Sequence, residues 1–112
     1  MKVIEFLIDS SKNLTTDFKN PPRIIKGDNN AFAIRLRVTE PWSNLTPWIK
    51  IQYGEELSKG QKMEDYQYIL SDDYTQGEYL GISFKLTGEE DGNIVSAYTE
   101  SIRFPILPNV VS

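Results

Sequence analysis

The residues able to do chemistry are few, and nearly all of them are carboxylates. The 112-residue chain has no His and no Cys. That removes the commonest general base, the commonest metal ligand, thiol nucleophiles, thiolate zinc sites and disulfides. A hydrolytic or metal site would have to rest on the two acidic clusters, Asp72-Asp73 and Glu89-Glu90-Asp91. Paired carboxylates cleave glycosidic bonds, and several converging oxygens hold calcium. Neither cluster has the alternating Asp-x-Asp-x-Asn-Gly spacing of a calcium loop. Both fall where turns are expected, and there acidic side chains serve local hydrogen bonding and solubility. The expectation is no enzyme, no cofactor and no metal, with Asp72 and Asp73 the place to look if calcium binds at all.

The aromatic residues offer a second kind of chemistry. Two Trp and six Tyr are abundant for this length, and both side chains suit interfaces and sugar platforms. Trp42 and Trp48 lie on either side of Leu45-Thr46-Pro47, and Tyr66, Tyr68 and Tyr74 follow in a region of turns and edges. These five form the candidate partner surface. The competing reading is packing: Trp48 begins a central strand and enters the core, while Trp42 covers the end of a sheet.

A third feature is the turn Gly27-Asp28-Asn29. Gly27 permits a positive φ, and Asp28 and Asn29 are expected to cap their own turn. A lone glycine is far from a phosphate-binding loop. Gly92 is assigned a similar structural role in a later hairpin.

The elements that position these residues are strands. In Phe32, Ile34, Leu36 and Val38 the apolar residues share one face, and Arg35 and Arg37 share the other. Leu80, Ile82, Phe84 and Leu86 repeat the alternation, and Ile49 and Ile51 give a shorter copy. Period-two patterning with one dry face is the signature of a half-buried strand. Those ten residues are the expected core. Turn-forming clusters at 20–22, 27–30, 40–44, 59–60, 71–73, 76–77 and 88–93 punctuate the chain. About seven strands and no helical periodicity point to an all-β fold, an immunoglobulin-like antiparallel β-sandwich. The 112 residues suit a single domain, with 105–112 expected as an extended C-terminal segment after Pro105 and Pro108.

The hairpin at Asp91-Gly92 tests register. A two-residue turn would set Leu86 opposite Ala97 and Leu80 opposite Arg103, mixing apolar and polar faces. A three-residue loop, with Gly92 left-handed, shifts the register by one and sets Leu80 and Phe84 against the Tyr98, Ile102 and Phe104 face. The three-residue loop is the expectation. At the other end, residues 1–8 put apolar side chains on both faces, with Glu5 the one central charge. They are expected as an edge or exchanged strand, swung outward on the polar connector 9–23 to pair with another subunit.

Composition narrows the partners. With 39% apolar and 25% charged residues, the chain matches neither a disordered tail nor a membrane protein. No apolar run approaches the ~20 residues that span a bilayer, and residues 1–8 lack a signal-peptide pattern. The net charge of −4 argues against nucleic acid.

The turn Lys26-Gly27-Asp28-Asn29-Asn30 followed by the alternating strand of residues 32–38, with looser likeness through Trp48-Ile49-Lys50-Ile51-Gln52-Tyr53, resembles the N-terminal immunoglobulin-like domain of upper baseplate proteins from tailed phages of Gram-positive bacteria. The resemblance covers about two-thirds of the chain, and such proteins usually continue into a stalk or receptor-binding region. It implies a structural role in the virion tail, or in the bacterial cytoplasm when expressed from a prophage. The partners it implies are other tail or baseplate proteins, with a homo-oligomer expected and no catalytic residue to carry over. The alternative is a carbohydrate-binding or adhesive sandwich using exposed Trp and Tyr.

Overall fold

Alternating stretches become strands wherever one face can be buried. The computed structural model describes residues 1–17, 21–53, 56–57 and 60–110. Its strands are β1 (Lys2–Ile8), β2 (Leu14–Thr16), β3 (Ile24–Ile25), β4 (Phe32–Val38), β5 (Thr46–Tyr53), β6 (Glu56–Leu57), β7 (Gln61–Lys62), β8 (Gln67–Ile69), β9 (Tyr79–Glu90), β10 (Asn93–Tyr98) and β11 (Ile102–Leu107). One sheet runs β2-β1-β4-β8. The other runs β3-β11-β9-β5-β6, with β7 also on β5 and β10 also on β9. The fold is an all-β sandwich, and six of its strands are long enough to alternate more than once.

The two sheets meet through the side chains that the alternation singles out. Phe32, Ile34, Leu36, Ile49, Ile51, Leu80, Ile82, Phe84 and Leu86 are buried, and Val38 is half-buried at the rim. Phe6 crosses the interior from the first sheet to meet two rings of the second edge-on, Phe84 at 5.4 Å and Phe104 at 5.9 Å between centroids. Edge-to-face geometry sets the positive rim of one ring against the negative face of the next.

Pairing is mostly antiparallel, with two parallel exceptions. β1 pairs parallel with β4 along its whole length, from Lys2↔Phe32 to Ile8↔Val38. β3 pairs parallel with β11 at Ile106↔Ile24 and Leu107↔Ile25. The first exception corrects the placement of residues 1–8. β4 lies along the whole of one side of β1, and β2 covers Phe6–Ile8 on the other, so among the described residues β1 is an edge only at Lys2–Glu5 and is not swung outward. The expected polar connector supplies that second neighbour, since Leu14 is buried and residues 14–16 pair back on β1. The tight return is closed by Asp9, whose Oδ1 accepts from the backbone N–H of Ser11 and Asn13, both at 2.9 Å.

The hairpin register is the second correction. Asn93 pairs with Glu90, so Asp91-Gly92 is a two-residue turn with positive φ at both positions, 50° and 79°. That is the type I′ geometry which matches strand twist. Ala97 opposes Leu86, the pairing that a three-residue loop would have avoided. The faces nonetheless agree, because a one-residue bulge at 99–101 resets the register before β11. Phe104 then opposes Leu80 and Ile102 opposes Ile82. Thr99 bridges the break: its N–H donates to the Phe84 carbonyl and its Oγ1 accepts from the Phe84 N–H, both at 3.0 Å. Tyr98 is therefore on the outer face, not the core face.

Two smaller expectations also move. Gly88 and the two residues after it extend β9 instead of starting a turn. Pro105 lies inside β11 opposite Tyr79, so the extended segment cannot begin before residue 108. The turns expected at 20–22 and 59–60 fall partly outside the described residues.

Candidate functional site

The Gly27 turn is a structural joint. The Asp28 N–H donates to the Ile25 carbonyl at 2.9 Å, closing a four-residue turn with Gly27 at its third position. Gly27 has φ of 94°, which a type II turn requires there and which glycine adopts without strain. The Asp28 Oδ2 accepts from the Ile25 N–H at 2.9 Å, so Asp28 caps its own turn as expected. Asn29 does something different: its Oδ1 accepts from the Asp72 N–H at 3.0 Å, reaching the 3-10 turn Asp72–Tyr74.

Thr75 completes this joint, and sequence inspection passes it over. It is the fully buried polar residue of the described chain. Its Oγ1 donates to the Asp28 carbonyl at 2.8 Å, and its own carbonyl accepts from the Gly27 N–H at 3.2 Å. Buried polar groups need such partners, because an unmade bond costs about 1–3 kcal/mol. A threonine just after an acidic pair carries no distinguishing signal in one sequence. The Asp72-Asp73 pair is thereby explained as the start of a capped turn, and among the described residues no three His, Cys, Asp or Glu gather as a ligand set.

The five candidate aromatics lie in three separate places. Trp42 closes the sandwich end beside the β1–β2 return, with its indole N–H donating to the Ser10 carbonyl at 3.0 Å. Lys12 Nζ lies 5.9 Å from its ring centre. Trp48 is on the outer face of β5, half-buried, and its indole N–H donates to Thr87 Oγ1 at 2.9 Å. The expectation that it enters the core fails because β5 turns Pro47, Ile49 and Ile51 inward and the even positions out. Tyr68 and Tyr74 are half-buried with Tyr53 at the β8 edge, packed on the core. Tyr53 and Tyr74 meet edge-on at 5.0 Å, and Gln61 Nε2 donates to the Tyr74 hydroxyl at 2.6 Å. Burial, and then the hydrogen bond with Tyr74, push the Tyr68 phenol from 10.0 up to about 12. Of the three tyrosines only Tyr66 is exposed, in a left-handed conformation with φ of 59°.

Two surface features remain. A shallow groove of about 500 Å³ runs along β7 and β8, lined by Lys62, Glu64, Asp65, Gln67, Tyr68 and Ile69 among others. Five of its seven lining residues are polar or charged, while Tyr68 and Ile69 add apolar wall surface. The second feature is the β9–β10 hairpin. β5 accompanies β9 only to Thr87, and although Gly88 lies against Leu45 and Val95 packs on the core, residues 89–94 extend past it and pair, among the described residues, only with each other. The hairpin carries an acidic tip at Glu89, Glu90 and Asp91 and exposes Ile94 at 87% and Tyr98 at 49%. The Tyr98 ring lies near two ammonium groups, Lys50 at 5.3 Å and Lys85 at 5.7 Å. The sequence alone picks out the acidic tip but not this face, because the expected register sets Tyr98 inward.

No family model matches this sequence, and no curated protein is similar to it. Among solved structures the fold is shared with the N-terminal domain of phage TP901-1 ORF48. That match has a TM-score of 0.53 at 16% identity and covers 97% of this chain and 98% of that one.

Proposed function

We propose that this chain is a structural module of a phage or prophage tail or baseplate, working in assembly through protein–protein contacts and without catalysis. The observation that carries the reading is the end-to-end fold match to the phage TP901-1 ORF48 N-terminal domain. It extends over the whole sandwich rather than a shared motif, and it agrees with the likeness of the Gly27 turn and β4 to upper baseplate domains. The partners are then other tail or baseplate proteins, and the location is the virion tail. The composition fits the same reading, since the chain has neither His nor Cys and carries a net charge of −4.

A sugar-binding sandwich would need a shared ring platform. Trp42 and Trp48 are held by different elements with both indole N–H groups bonded inside the chain. The deciding experiment is mass spectrometry of purified phage particles, together with antibody labelling of their tails in the electron microscope. The chain is expected in the particle and at the tail. Its absence from purified particles would overturn the reading.

A further inference from the structure

We infer that two copies of this chain associate through β10, antiparallel about a two-fold axis at Ser96, extending the larger sheet from one copy into the next. The reason begins with how the edges are defended. The edge strands β2, β3, β6, β7 and β8 are two or three residues long. β10 has six residues, Asn-Ile-Val-Ser-Ala-Tyr, with no charge and no proline. Among the described residues it pairs only with β9. A long uncharged edge is a template for another strand.

Backbone parity selects the residues that would pair. The two-residue turn makes Asn93 and Glu90 a hydrogen-bonded pair, and in an antiparallel ladder these alternate. Ile94, Ser96 and Tyr98 therefore direct their N–H and C=O groups away from β9, toward the open side. The same three residues place their side chains on the exposed outer face. A two-fold axis at Ser96 sets Ile94 opposite Tyr98 of the second copy and Tyr98 opposite its Ile94. The two large apolar side chains that β10 exposes, at 87% and 49%, would then cover each other, while Val95 meets Ala97 on the inner face.

Charge fixes the direction and the occupant. One end of the hairpin is acidic through Glu89, Glu90 and Asp91, and the other carries Lys50 and Lys85 around Tyr98. An antiparallel two-fold brings each acidic end toward the lysines of the other copy, whereas a parallel arrangement sets like against like. The strand is thus complementary to itself in backbone, side chain and charge, as an isologous contact requires.

The test uses the full chain in solution. Sedimentation velocity over a wide concentration range is expected to show a monomer–dimer equilibrium. Ser96→Pro removes an outward N–H without touching the β9 ladder, and Ile94→Lys places charge where the apolar pair forms. Both variants are expected to lose the dimer while keeping the far-UV circular dichroism of the parent. The chain has no cysteine, so Ser96→Cys gives a single reporter at the axis. It is expected to oxidise to a covalent dimer far faster than Ile69→Cys, an exposed control on β8. A parent chain that stays monomeric to millimolar concentration overturns the inference. So does a dimer that persists in both variants and cross-links no faster through residue 96 than through 69. Either outcome leaves the tail reading standing, because that reading is decided by the composition of the particle.

Discussion

β1 and β10 are strands of similar length with opposite positions. β1 carries Val3, Ile4, Phe6, Leu7 and Ile8, and it has β4 along one side and β2 over Phe6–Ile8 on the other. β10 is nearly as apolar, with Ile94, Val95, Ala97 and Tyr98 among its six residues, yet it forms an open edge and exposes Ile94. The difference teaches that apolar content does not separate an interior strand from a docking strand. β1 buries Ile4, Phe6 and Ile8 within its own chain, whereas β10 leaves Ile94 and Tyr98 exposed. What separates them is the supply of partners: residues 14–16 fold back to cover Phe6–Ile8 of β1, and no described residue does so for any part of β10.

The comparison breaks most visibly if the two strands are removed or altered in turn. Deleting residues 1–8 is expected to abolish folding, seen as loss of the β-type circular dichroism spectrum, because it takes out the strand that joins β2 to β4. A folded remainder would restore the edge or exchanged reading of β1. Phe6→Ala leaves a cavity against Phe84 and Phe104 and is expected to lower stability by about 3–5 kcal/mol in urea denaturation.

An intermediate effect is expected at the joint between the Gly27 turn and the 3-10 turn. Thr75→Val keeps the shape but deprives the Asp28 carbonyl of its donor, a loss of about 1–3 kcal/mol by the same measurement. Tyr68 gives a smaller effect that depends on pH. Its folded-state pKa lies above the unfolded value, so the neutral phenol contributes fully below pH 10.0 and its contribution fades as pH rises toward about 12. Tyr68→Phe is expected to flatten that alkaline fall in the urea midpoint. An identical fall in both proteins would assign it to other groups. The smallest effect belongs to β10: Ile94→Ala, measured on dilute monomer, is expected to change stability by no more than ~0.5 kcal/mol, as at other exposed positions. A loss comparable to Phe6→Ala would mean that β10 is covered within the monomer.

The candidate surface was less legible than the core. Gly27 and Asp28 take the turn roles their residue types imply, because φ preference and short side-chain bonds are local properties. Asn29 and Thr75 act across more than forty residues of chain, and nothing in their own neighbourhood signals it. The aromatics could be counted but not grouped: Trp42, Trp48 and the Tyr68–Tyr74 pair are separated by the folding of strands that are distant in sequence.

The sequence by itself determined the all-β character, the inward residues of β4, β5 and β9, and the sites of the main turns. These follow from alternation and turn chemistry, which act over a few residues and are written in their order. Only the tertiary structure decided that β1 lies between β4 and β2 at Phe6–Ile8, that β10 is open, and that Tyr98 faces outward. Each of those outcomes rests on a choice between pairing partners. For Tyr98 it came down to one extra residue at 99–101, which lets a two-residue turn and an apolar β11 face coexist. A bulge costs little where Thr99 supplies the missing acceptor, and that donor–acceptor match exists only once β9 lies alongside.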